Sequence, residues 1–366
     1  MPFSLFKQTD PRDFAIPKLL TAQFCRAVLA TAAVSYLVGL ALLWGFLRAA
    51  GDRWWFATVL LYAPRWLYGV PLIVLIPLAA WANRRALLPL LAAIAIFILP
   101  VMGFRVPLAR NSEADKPRLR VITCNMQGGK AARVALAEFA VNEQADIVAL
   151  QECDSDVRIP WPETWHEIRE GALVVASRYP LRDSDHSVRA HPQSQWPPSN
   201  ALRCVVEAPS GDIGFCCVHL LTPRSGLERV LDQRTIVAPG RSRMLSELIQ
   251  CRRWESEELK QWITDFNRPT IIAGDFNMPV DSTIYLDIWS SFTNAFDVAG
   301  FGFGTTKITT KRGWSYGARI DQILYGNTFF GCRKCWVGPD VGSDHFPLVA
   351  DIVARKPSDM IPPQVD

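Results

Sequence analysis

The chain has 366 residues, 49% of them hydrophobic and 20% charged, with 39 Lys and Arg against 35 Asp and Glu for a formal net charge of +4. That length accommodates two domains, and so small and dispersed a charge gives no electrostatic case for a nucleic-acid partner. The apolar residues are concentrated at the front. Residues 27–47, 66–82 and 86–104 run almost without charge, each close to the ~20 residues needed to cross the hydrocarbon of a bilayer. They lack the polar stripe of a helix packed in a water-soluble bundle. Three transmembrane helices within 26–104, after an N-terminal segment 1–25, are therefore expected. A cleaved signal peptide does not fit, because the first run begins late and two more follow it. Between the first two runs lies "WWFATVLLYAPR", short and apolar, whose tryptophans suit an interfacial position or an extension of the second span. Lys7, Arg12, Lys18 and Arg26 precede the first span and Arg84 and Arg85 fill the second connection, against Arg48, Arg53 and Arg65 in the first. Positive-inside reasoning then puts the N-terminus in the cytoplasm and the chain after the third span outside, although Arg105, Arg110, Lys116, Arg118 and Arg120 pull the other way.

Residues 105–117, "RVPLARNSEADKP", are polar and proline-bounded and read as a linker. From 118 to 355 short apolar strands alternate with occasional helices. They run "LRVITCN", a helix from Lys130 to about Asn142, "DIVALQE", "ALVVAS", "ALRCVVEA", "IGFCCVHL", a helix from about Ser242 to Phe266, "PTIIAGDFN", a short helix near Asp281, "RIDQILYG" and "PLVADIV". That mixture is an α/β domain whose helices cover packed sheets. The tail 356–366 is proline-rich and expected to be disordered. Of the nine cysteines, Cys332 and Cys335 form a lone CxxC that no second cluster completes into a zinc site. Cys216 and Cys217 are adjacent on a strand and must face opposite ways.

Several strands share a habit: each is apolar along its length and ends on an amide, an acid or an imidazole. Asn125 follows "VITC", Glu152 follows "IVALQ", His219 closes "CVH", and Asp275 follows "TIIAG" with Asn277 two residues on. In "RIDQILY" Asp321 shares a strand face with Ile323 and Tyr325, where a carboxylate needs a partner. "GSDHFPL" sets Asp344 beside His345 between a glycine and a proline, a turn composition that lets neighbouring side chains serve one site. If the strand ends converge, Asn125, Glu152, Asp275, Asn277 and Asp344 surround a hole lined by hard oxygen donors, which suits Mg²⁺ or Mn²⁺ better than zinc.

"CNMQGG", "LQECD", "ASRYPL", "CVHL", "AGDFN", "RIDQILYG" and "GSDHFPL" stand in the order and approximate spacing of the endonuclease/exonuclease/phosphatase superfamily, which the chain resembles from about 119 to 354. The resemblance implies a four-layered α/β sandwich of the DNase I type, two packed β-sheets flanked by helices, here preceded by the helical transmembrane region. It also implies divalent-metal-dependent cleavage of phosphoesters. By the same resemblance Glu152 would be the principal metal ligand, with Asn125 and Asp344 in the metal shell. Asp275 would bind or deprotonate the attacking water and Asn277 would orient it. His219 and His345 would hold phosphoryl oxygens or shuttle protons, with Asp321 fixing the His345 tautomer. The base is left open between Asp275 and His345. The chain looks most like bacterial members anchored in the cell membrane by a few N-terminal spans.

The substrate stays a class: a lipid headgroup, a small phosphoester or nucleic acid, with no obligate protein partner evident. Two basic loops could grip an anion. One, "TPRSGLERVLDQRTIVAPGRSR", carries Arg224, Arg229, Arg234, Arg241 and Arg243. The other, "TTKITTKRGWSYGAR", carries Lys307, Lys311, Arg312 and Arg319. The leading expectation is a membrane-anchored phosphoric ester hydrolase, with a nuclease and a catalytically silent binding module as the alternatives.

Overall fold

The structure is a computed structural model that describes residues 15–107, 117–232, 240–311 and 313–355. The expectations for residues 1–14, for most of the linker (108–116), for Arg234 and Arg312, and for the tail from 356 fall outside the described residues, as do the side chains of Lys18 and Lys311. The chain divides into two compact units, one of Met1–Phe46 with Arg65–Gly103 and one of Leu47–Pro64 with Phe104–Asp366.

The first unit is helical. Helix α1 (Ala15–Ala50) begins in it, and α3 (Val70–Ala82) and α4 (Leu87–Ile96) follow. Three segments, Ala22–Ala50, Arg65–Ala82 and Arg84–Val101, are long and apolar enough to cross a membrane. Leu29, Ala33 and Leu40 of α1 pack against Leu72, Ala79, Leu90 and Ala93, and the alanines among them let backbones approach closely. Most of the remaining apolar side chains point outward, Ile73 and Leu88 among them. A water-soluble bundle would bury them.

The second unit holds two six-stranded sheets. One contains β1 (Arg118–Gly128), β2 (Ile147–Cys153), β3 (His166–Glu170), β4 (Leu173–Ser177), β13 (Phe330–Val337) and β14 (Leu348–Ala354), in the order β13-β14-β1-β2-β4-β3. The other contains β5 (Leu181–Arg189), β6 (Ser199–Ala208), β7 (Gly211–His219), β8 (Thr270–Asp275), β9 (Thr293–Asn294) and β12 (Asp321–Tyr325), in the order β5-β6-β7-β8-β12-β9. In each sheet one parallel pair, β1 with β2 and β7 with β8, lies among antiparallel neighbours. The central strands read as continuous apolar runs because both faces are covered. Val121, Ile147 and Ala149 of one sheet meet Leu202, Phe215, Cys217, Ile271 and Ile323 of the other between the sheets. The alternate residues Ile122, Cys124 and Val148 face outward onto Leu136 and Ala140 of α5 (Arg133–Asn142). Cys216, Val218 and Ile272 face the opposite way, onto Leu259 and Ile263 of α7 (Arg243–Thr264). The expected four-layered α/β sandwich is thus present, and Cys216 and Cys217 point to opposite sides.

Four expectations are corrected. The four strands of the two sheets that the sequence hid, β3, β5, β9 and β13, are the sheet edges, and charged residues run along β3 and β5, the usual protection of an exposed edge. The second basic loop is a hairpin of β10 (Lys307–Lys311) and β11 (Trp314–Ala318). The first contains α6 (Arg224–Leu231). The segment between the first two spans does not extend the second span. It forms the short helix α2 (Trp55–Leu61), whose Trp55 and Val59 pack on Val230, Leu245 and Ile249 of the α/β unit.

Candidate active site

The residues singled out at strand ends come together at one edge of the two sheets. The parallel register β7 to β8 sets His219 beside Asp275, and the antiparallel register β8 to β12 sets Asp275 beside Asp321. Across the sheets, the Asn125 side chain donates from Nδ2 to Glu152 Oε1 at 2.8 Å and to Asp275 Oδ2 at 3.0 Å. One amide thereby ties an acid of each sheet to the end of β1. Its Oδ1 accepts from the Gln127 N–H at 3.0 Å. His219 Nε2 stands 3.4 Å from Glu152 Oε1 and 3.9 Å from Asp275 Oδ2.

His345 is 3% exposed and sits in the turn before β14, with Nδ1 2.9 Å from Asp321 Oδ2 and Nε2 3.8 Å from Asp275 Oδ2. Burial opposes its charge, but the Asp321 and Asp275 carboxylates outweigh burial and push the imidazole up to about 9. Asp275, 1% exposed, is held above the usual carboxylate range by burial first and by the Asp321 carboxylate next, against the pull of His345, His219 and the Asn125 amide. Asn277 donates its N–H to Asp275 Oδ1 at 2.8 Å and its Nδ2 to Leu220 O at 2.8 Å. The backbones of Glu152 and Asn277 are left-handed, with φ of 49° and 50°. Such strain persists only where surrounding contacts hold it.

Asp344 stands next to His345 on the same turn. Its Oδ2 is ion-paired with Lys307 Nζ, its Oδ1 is buried without a hydrogen-bond partner among the described residues, and Oδ1 is 3.9 Å from His345 Nε2. Sequence reasoning named Lys307 only as a loop cation and missed Ser343 and Thr306. The Ser343 hydroxyl donates to Asn125 O at 2.7 Å and accepts from the His345 N–H at 3.2 Å, fastening the turn to β1. Thr306 Oγ1 accepts from the N–H groups of Ile320 and Asp321, each at 3.2 Å. The serine in "GSDHFPL" was the available signal for the first; nothing local marks the second.

Among the described residues two groups place one ligand atom each within 4.8 Å of one another: Glu152, His219 and Asp275, and Asp275, Asp321 and His345. Carboxylates predominate in both, and Glu152 keeps a side chain 45% exposed. That donor set fits a hard divalent cation. A cavity of about 510 Å³ is bounded by Asn277 and Asp344, sequence neighbours of Asp275 and His345, with Arg224, Leu227, Glu228, Lys307 and Ile308 among others.

A model of the endonuclease/exonuclease/phosphatase family matches residues 122–345. No curated protein matches the chain in sequence. Among solved structures the chain is similar to an endonuclease/exonuclease/phosphatase family protein from Leptotrichia buccalis C-1013-b, at 18% identity over 64% of this chain and 99% of that one, with a TM-score of 0.44. It is similar to the 3'-5' exonuclease NExo from Neisseria meningitidis at 15% identity over 63% and 98%, TM-score 0.47. It is also similar to the human Nocturnin catalytic domain with bound sulfate, at 17% identity over 66% and 96%, TM-score 0.43.

Proposed function

The chain belongs to the endonuclease/exonuclease/phosphatase family, whose members hydrolyse phosphoester bonds, and from that premise we propose that it is a membrane-anchored, divalent-metal-dependent phosphoric ester hydrolase. The observation that carries the reading is the double donation of Asn125 to Glu152 and Asp275, which brings acids from two sheets to one point with two imidazoles beside them. A Mg²⁺ or Mn²⁺ ion held by Glu152 and Asp275 would neutralise phosphoryl oxygens and polarise the water nearby. Asp275, set against Glu152 by the Asn125 amide, holds the attacking water or accepts its proton, and Asn277 orients that water from the adjoining turn. His345 is charged at neutral pH through its bond to Asp321, so it donates from Nε2 to a phosphoryl or leaving oxygen rather than acting as the base. His219 supplies a second donor to the same charge. Asp344 anchors Lys307 at the rim, where the ammonium can meet an anionic substrate, and Asn125 holds the acids in register.

Anchoring is supported by the three apolar segments and by the chain's path. The α/β unit includes Leu47–Pro64 as well as everything from Phe104, and two candidate spans separate those stretches. An even number of crossings between them leaves both on one side of the membrane. With the basic N-terminus in the cytoplasm, that side is extracytoplasmic. The cavity near the site holds Lys307 and Arg224, ion-paired with the lining acids Asp344 and Glu228, beside Leu227, Leu231, Ile308 and Tyr316, a lining with room for an apolar group attached to a phosphodiester. Lipid headgroups are therefore the preferred substrate. The purified full chain, assayed with Mg²⁺ or Mn²⁺ against phospholipid vesicles, plasmid DNA and small phosphodiesters, tests this. Metal-dependent release of a phospholipid headgroup is expected. Cleavage of DNA alone would move the assignment to a nuclease, and no turnover of any of them would remove it.

A further inference from the structure

Arg252 lies inside α7 and is only 1% exposed. Its guanidinium spends every nitrogen on a partner. Nε donates to Leu221 O at 2.9 Å, one terminal nitrogen donates to Asn277 O at 2.9 Å and to the Tyr62 hydroxyl at 2.9 Å, and the other meets Asp52 Oδ1 at 3.1 Å. Leu221 follows the end of β7, which carries His219, and Asn277 follows the end of β8, which carries Asp275. Arg252 therefore grips both segments at once. They are tied to each other as well, by Leu220 N–H to Asp275 O at 2.9 Å and by Asn277 Nδ2 to Leu220 O at 2.8 Å.

The remaining partners come from the stretch between the first and second candidate spans. Asp52 is fully buried, and its backbone turns left-handed with φ of 55°, a conformation Asp tolerates. Ser282 donates to its carboxylate, and its N–H donates to Thr58 at 3.1 Å. The Tyr62 hydroxyl donates to Asn277 O at 3.0 Å, and the ring borders the cavity beside the site. The Thr283 N–H reaches Gly51 O at 3.1 Å, and Arg53 and Arg253 share Asp287 at 2.8 and 2.9 Å. A guanidinium this deep demands a counter-charge. Asp52 supplies it.

We infer that residues Leu47–Pro64 are a working part of the catalytic unit, and that Asp52 and Tyr62, acting through Arg252, are positioning residues for the strand ends that carry His219 and Asp275. The inference rests on the site proposed above, since it assigns these residues to holding that site. It implies that a protein trimmed to 118–355 carries an uncompensated buried cation and a loosened site, and that the connection between two membrane segments bears directly on turnover.

The test uses the full chain in detergent, with three readouts: melting temperature, backbone hydrogen exchange over 218–222 and 274–278, and hydrolysis of bis(p-nitrophenyl) phosphate with Mn²⁺. Asp52→Asn combined with Arg252→Met removes the charge pair together with the guanidinium bonds, and replacing a buried pair by uncharged groups commonly restores stability. The expected double variant melts near the parent, yet exchanges at least about tenfold faster at both strand ends and turns over about tenfold or more slowly with little change in KM. If exchange and turnover return to parental values along with melting, the segment is a structural plug only and the inference is wrong. Should the double variant fail to fold, Tyr62→Phe decides. It is expected to keep the parental melting temperature while exchange at 276–278 rises and kcat falls, and unchanged exchange and kcat overturn the inference. A parent chain with no hydrolytic activity would remove the proposed function, while the exchange measurements still decide whether the segment holds these strand ends.

Discussion

Gly274 offers a sharp perturbation of the site without touching any reacting group. It pairs with Val218 in the parallel register that sets His219 beside Asp275. A Cβ at Gly274 would stand 1.9 Å from the Val218 carbonyl oxygen, where side-chain carbons essentially never come under 3.0 Å, and the obstacle is backbone that cannot rotate away. Gly274→Ala must therefore push β8 from β7 by about 1 Å, and a misplacement of that size costs about 10²-fold in turnover, or about 2.7 kcal/mol of transition-state stabilisation. The same overpacking costs about 1–3 kcal/mol of folding stability. Both are measured on the full chain, kcat/KM with a phosphodiester substrate and melting temperature in the same detergent. A loss of activity about a hundredfold with a folded, modestly destabilised protein is expected. Parental activity in a Gly274→Ala protein of parental stability would refute the coupling of β7 and β8 to the chemistry.

Asp321→Asn keeps the shape of the buried side chain but removes the charge that holds His345 protonated; turnover at pH 7 should fall about 10²-fold or more, read as kcat, and the alkaline fall of the pH–rate profile should move from about pH 9 down toward neutrality. Phe215, fully buried between the sheets, should cost about 3–5 kcal/mol when replaced by Ala, read as a lowered melting temperature of the α/β unit. Burial raises the Asp297 carboxyl, but Arg319 and Arg105 outweigh burial and hold it below the usual range. A depressed folded pKa contributes stability above the unfolded value of about 4 that is lost as the pH falls through the folded one. Melting temperature should therefore drop on acidification below about pH 4, and Asp297→Asn should flatten that part of the curve.

The sequence made the centre of the fold legible because the strands buried on both faces are almost purely apolar, so a single polar residue at the end of each stands out. Asn125, Glu152, His219 and Asp275 were visible for that reason, and Asp321 because it shares a face with Ile323 and Tyr325, both buried between the sheets. The edges were illegible: "HEIRE" and "LRDSDHSVR" carry the charges that keep edge strands from pairing, and they read as loop. The hairpin carrying Lys307 was hidden for a related reason, its threonines and lysines giving strand propensity without an apolar face. The stretch Leu47–Pro64 was misjudged because hydropathy measures only avoidance of water. Trp55, Val59 and Leu61 satisfy it equally by entering lipid or by packing on protein, and the charged residues that distinguish the two, Asp52 and Arg53, find partners 200 and 234 positions away. Long-range pairing of that kind leaves no local trace.

The central claim is that Glu152 and Asp275 hold a divalent cation that phosphoester hydrolysis requires. Mn²⁺ binding to the full chain, followed by electron paramagnetic resonance beside the hydrolysis rate, addresses it most directly. The parent should bind Mn²⁺ and lose turnover with chelator, while Glu152→Ala should lose both binding and about 10² to 10³-fold of the rate without a change in melting temperature. A Glu152→Ala protein that binds Mn²⁺ and hydrolyses substrate as the parent does would contradict the account.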